Sequence, residues 1–150
     1  MFYHLTHSSL EETAFTLLGR ASGAGWRVMV RGPGDILDRL DAALWTLHDD
    51  SFLPHGREGG PHDALQPVLL GEGAIGNGAN CLMVVGGADF APQEAGPLDR
   101  LWVLFDGLDS HALARARDQW REVVGAGVAA QYWSEESGRW EKKAEREGAA

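Results

Sequence analysis

Trp26-Arg27-Val28-Met29-Val30-Arg31-Gly32-Pro33-Gly34 is the stretch whose reading decides the fold. Val28, Met29 and Val30 are near-continuous apolar sequence, the pattern of a strand covered on both faces. Gly32-Pro33-Gly34 breaks it. Beyond the break, Asp35 to Leu47 reads as a helix, because Ile36, Leu37, Leu40, Leu44 and Leu47 share about 100° of arc on a helical wheel. Ahead of the strand, Ser8 and Ser9 each stand three residues before a glutamate (Glu11 and Glu12). That doubled capping box predicts a helix running to about Ser22, ended by Gly23 and Gly25. Phe2-Tyr3-His4-Leu5 precedes it as a short strand. Strand, helix, strand, helix points to an α/β fold: one layered domain whose central, mostly parallel sheet is flanked by helices, as in nucleotide-binding folds.

The remaining elements follow less regularly. Apolar runs at Pro67-Val68-Leu69-Leu70, Leu82 to Val85 and Leu101-Trp102-Val103-Leu104-Phe105 read as strands. The Gly56–Gly78 stretch around the first of these is rich in glycine, proline and polar residues. Asp109 or Ser110 is placed to cap a third helix ending near Gly125-Ala126-Gly127. Val128 to Ser134 reads as a strand, turned at Ser137-Gly138 into a short partner around Arg139 to Lys142. Residues 1–143 form the expected domain, and 144–150 read as a frayed tail.

At 150 residues, 44% hydrophobic and 23% charged, the chain has the make-up of a single globular domain. There is no signal-peptide pattern and no apolar run of the roughly 20 residues needed to span a bilayer. The single cysteine, Cys81, opens an apolar run and reads as a small buried hydrophobe in a reducing, cytoplasmic setting. The net charge of −9 argues against broad or sequence-specific nucleic-acid binding. Seven of the 13 basic residues nevertheless fall late in the chain, at Arg115, Arg117, Arg121, Arg139, Lys142, Lys143 and Arg146. A local basic patch on an acidic protein suits a small anion or an acidic peptide.

Several motifs look chemical and are not. Gly71-Glu72-Gly73-Ala74-Ile75-Gly76 matches GxGxxG after a strand, but a dinucleotide site needs its last glycine to open a helix. Here Asn77-Gly78-Ala79-Asn80 leads into another strand instead. His48, His55 and His62 recur every seven residues, whereas ligands on one helix face want spacings of three or four. They read as scattered surface histidines. Asp35, Asp38, Asp41, Asp49 and Asp50 read as solvated helix and loop charge. With no nucleophile elbow, HExxH or P-loop, nothing calls for catalysis, a cofactor or a metal.

Two surface features remain. Trp45 lies about 120° from the centre of the second helix's apolar stripe, near Asp38 and Asp41. Either the Ser51–His55 loop covers it, or it is a partner-facing anchor supported by Phe52 and Leu53. In the third helix, Leu113, Ala116, Trp120, Val123 and Val124 form the apolar stripe. Arg117 and Arg121 flank one edge beside Ala114, with Asp118 and Glu122 on the far face. Paired guanidinium groups beside an apolar seam can bind a carboxylate while the seam takes a hydrophobic side chain. The plainer alternative is surface arginines paired with local acids.

Taken together, these residues resemble the chi subunit of the bacterial DNA polymerase III holoenzyme. The resemblance runs through Phe2-Tyr3, Trp26-Arg27-Val28, Leu40-Asp41-x-Ala43-Leu44-Trp45, Ser51-Phe52-Leu53-Pro54-His55, Pro67-Val68 and Ala116-Arg117-x-x-Trp120-Arg121 before Gly127. It implies a replication adaptor, not a catalyst, on a nucleotide-binding-like fold that lacks nucleotide chemistry. It also implies that Arg117, Trp120 and Arg121 bind the acidic C-terminal tail of single-stranded DNA-binding protein. Trp45, Phe52 and Leu53 match the surface that faces the psi subunit, and in some members a helicase. Leu113 and Val124 stand where some relatives carry further basic residues. The competing class for such a fold is a nucleotide- or small-molecule-binding α/β enzyme.

Overall fold

In the computed structural model, the described residues are 1–6, 9–46, 55–60, 63–73, 75–91, 94, 98, 100–127, 130–135 and 139–146, with only the backbone of Arg146. Phe2–Leu5 forms β1, Leu10–Gly23 forms α1, Val28–Arg31 forms β2 and Gly34–Thr46 forms α2. Gly56–Arg57 (β3), Val68–Gly71 (β4), Cys81–Val84 (β5) and Arg100–Asp106 (β6) follow, then Ser110–Gly125 (α3), Ala130–Ser134 (β7) and Glu141–Arg146 (β8). All eight strands lie in one sheet, in the order β3-β4-β2-β5-β6-β1-β7-β8. Every pairing is parallel except β7 with β8. The chain is therefore a single α/β domain with a mostly parallel sheet, as its opening strand–helix alternation predicts.

The sheet's two faces sort the side chains by simple alternation. Val28, Val30, Val68, Leu70, Met83 and Leu104 point towards α1 and α2, whose Leu17, Leu18, Leu37, Leu40 and Leu44 close that core. Met29, Leu69, Leu82, Val103 and Phe105 point the other way, against Ala116 and Val123 of α3. The three apolar runs are unbroken because both faces are covered. Cys81 is fully buried at the start of β5. Ser9 caps α1, accepting from the Glu12 amide at 3.1 Å, and Asp109 caps α3, accepting from the His111 and Ala112 amides. These are the caps the sequence indicates.

Three things differ from expectation. β3 is a two-residue strand inside the Gly-rich stretch, paired with Leu69 and Leu70, where no strand is expected. β8 continues to Arg146, past the Arg139–Lys142 partner strand that the sequence suggests. Its Lys142–Glu145 pair at 2.7 Å and Lys143–Glu141 pair at 3.0 Å neutralise the strand locally. Third, Gln119 is buried on α3 at 2% exposure, its amide nitrogen donating to the Ala88 carbonyl at 2.9 Å. That bond satisfies the polar tip, and so a glutamine can occupy a core position.

Candidate partner-binding surfaces

Because β1 and β6 are neighbours whose following helices leave on opposite faces, the crevice between them is the topological switch point, where such folds usually bind ligands. A cavity of about 830 Å³ sits there, lined by Leu5, Thr6, Phe105, Asp106, Asp109 and Arg115 among others. Its two arginines are already engaged: Arg39 holds Glu11 at 2.6 Å, and Arg115 pairs with Asp89. Asp35, Asp106 and Asp109 add negative charge to its wall. A nucleotide's phosphates would meet carboxylates there instead of unpaired cations. The Gly71–Gly76 stretch does not line this cavity, and no helix opens at Gly76, the chain running on to β5 at Cys81.

Arg117, Trp120 and Arg121 are spaced three and four apart on α3, which places them on one side of the helix. Both arginines are exposed, while Trp120 is half-buried at the edge of the core. Its ring meets Phe2 edge-on at 5.4 Å and Tyr132 edge-on at 6.0 Å. Tyr132 in turn contacts His4 and Phe105, so an aromatic cluster underlies the seam between α3 and β7. Arg121 approaches Asp118 at 3.6 Å in an exposed i,i+3 pair, which contributes little in water. Arg117 has no acidic partner among the described residues. Tyr132 was not singled out in the sequence, although the alternation of β7 sends it to the same face as Ala130.

Trp45 lies on the last turn of α2 and is 52% exposed. Phe52 and Leu53 lie outside the described residues, as do His48, His62 and most of the Ser51–His55 loop. His55 is described, and it is not a surface histidine: its side chain is fully buried, with Nε2 3.1 Å from Asp41 Oδ1. Its ring centroid is 4.4 Å from that of Trp45. Asp38 is solvated charge as read, its side chain 73% exposed, and it lies 3.4 Å from Arg57 Nε. The polar side of α2 is therefore the side that meets β3.

The two constellations lie on opposite faces of the sheet, since α2 and α3 pack against different cores. α2 touches β3 and β4 while α3 touches β6 and β7. At ~4.8 Å per strand, the positions differ by roughly 20–25 Å across the sheet as well. No described helix is long and apolar enough to cross a membrane. No curated protein matches the chain. The family model described as DNA polymerase III chi subunit, HolC, matches residues 1–131 of the 150, so the chain belongs to the DNA polymerase III chi subunit family.

Proposed function

We propose that this protein is a non-catalytic, cytoplasmic adaptor of the replisome. One surface takes the acidic C-terminal tail of single-stranded DNA-binding protein, and another links the chain to the clamp loader. The observation that supports the first half is the exposed Arg117–Arg121 pair beside the half-buried Trp120 in a chain of the chi family. A tail ending in a large apolar residue would rest against Trp120 and Tyr132, its α-carboxylate taken by Arg117. Upstream aspartates would meet Arg121. The second half assigns Trp45, with Phe52 and Leu53, to a psi subunit or, in its place, a helicase. Neither reading calls for a cofactor or metal.

Titration with a peptide ending in Asp-Asp-Ile-Pro-Phe tests the tail site. Micromolar-range binding that weakens with salt is expected. Arg117→Ala should reduce affinity at least tenfold while leaving stability within about 0.5 kcal/mol, since the residue is exposed. Binding indifferent to both salt and Arg117→Ala would defeat the assignment.

A further inference from the structure

Asp38, Asp41 and Trp45 form a row along one side of α2, spaced three and four residues apart. The row meets His55, just ahead of β3, and Arg57 within it. Arg57 Nε lies 3.4 Å from Asp38, His55 Nε2 lies 3.1 Å from Asp41, and the His55 ring sits 4.4 Å from the Trp45 ring at 42°. β3 is itself fixed by its pairing to β4, Gly56 opposite Leu69 and Arg57 opposite Leu70. The imidazole is thus part of the rigid body, fully buried, while the indole leaning on it is 52% exposed.

We propose that His55, backed by Asp41, is a positioning residue that holds the Trp45 indole in one orientation before a partner arrives. This rests on reading Trp45 as a partner-binding anchor. An exposed tryptophan on the last turn of a helix has several rotamers open to it. Freezing one at an interface weakens binding by roughly three- to tenfold relative to a side chain already ordered. The His55 face removes part of that cost by blocking the alternatives on one side, and Asp41 keeps a carboxylate oxygen 3.1 Å from the imidazole's Nε2. Partner and anchor then meet as preformed shapes.

The test uses protein labelled with ¹⁵N-tryptophan, which gives six indole signals, the Trp45 signal being identified by Trp45→Phe. In His55→Leu and Asp41→Ala the Trp45 signal alone should broaden or split, and affinity for a psi subunit should fall three- to tenfold. Asp41 is on the helix surface, so Asp41→Ala decides the matter if His55→Leu fails to fold. A sharp, unshifted Trp45 signal in the folded variants overturns the positioning role. If instead Trp45→Ala binds psi as tightly as the parent, the anchor reading fails, whatever the indole signal does.

Discussion

Lowering the pH from 8 to 6 should remove from this protein the stabilisation contributed by one buried group, the amino group of Met1. Burial, and then the positive charge of Arg100, lower its pKa from 8.0 to about 5. The amine donates to the Leu101 carbonyl at 2.5 Å, beside the pairing of β1 with β6. Between pH 8 and 5 the unfolded chain binds a proton that the folded chain refuses, so stability rises with pH across that window. Each unit inside it corresponds to ~1.4 kcal/mol, and the rounding at its upper end leaves about 2 kcal/mol between pH 6 and 8. The carboxylates act elsewhere. Partial burial pushes Glu11 and Glu94 up, but hydrogen bonds from Arg39 and Arg31 outweigh it and leave both below 4.5. Their stabilisation is complete above that value and is lost only as pH falls through the lowered pKa. Urea denaturation at pH 6, 7 and 8 should therefore be run on the chain with its amine on Met1 and on one preceded by Gly-Ser-Gly, whose amine reaches solvent. The first should gain about 2 kcal/mol more than the second over this range. Parallel pH profiles would refute the reasoning.

Two further outcomes concern the scaffold. Gly86 has φ of 63°, and a Cβ built there would lie 2.7 Å from Pro33 Cδ, so Gly86→Ala should cost about 2 kcal/mol or more by thermal or chemical unfolding. A loss below 0.5 kcal/mol would mean the turn relaxes freely. Asn77 is buried, its amide donating to the Val28 carbonyl at 3.1 Å and the Gln66 carbonyl at 2.9 Å. Asn77→Ala should cost about 2 kcal/mol, visible as a lower denaturation midpoint with unchanged slope.

Much of the fold was legible in the sequence because its signals are periodic or chemical. Continuous apolar runs marked the inner strands, wheel stripes marked α2 and α3, and serine and aspartate caps set the starts of α1 and α3. What escaped detection has no local signature. β3 is two residues long and owes its existence to β4. β8 is expected only as far as Lys142; its continuation to Arg146 is nearly all charge and is a strand because β7 offers it a ladder. Strand order is a matter of long-range pairing, which no window of sequence contains. At the candidate surfaces, the wheel correctly placed Trp45 off the apolar stripe. It could not tell that Asp38 and Asp41 face β3, or that His55 lies buried against Asp41 and the indole, since those contacts join residues 10 to 19 positions apart. Gln119 was unexpected in the core for the same reason, its partner being the Ala88 carbonyl. Trp120 was placed on the apolar stripe, and the structure adds its edge-on contact with Phe2 from the far end of the chain.

The margins of the sheet have a consequence for behaviour at high concentration. A parallel sheet that simply stopped would present a template on which another copy could continue the ladder, and repeated addition would give a fibre. Here one margin is the Glu141–Arg146 strand, whose lysines and glutamates are already matched along its own length. An incoming strand would have to lie against that charged ribbon and disturb its matched ions without gaining an apolar face. The opposite margin, at two residues, is too short to template anything. Growth by strand addition is therefore disfavoured from both ends.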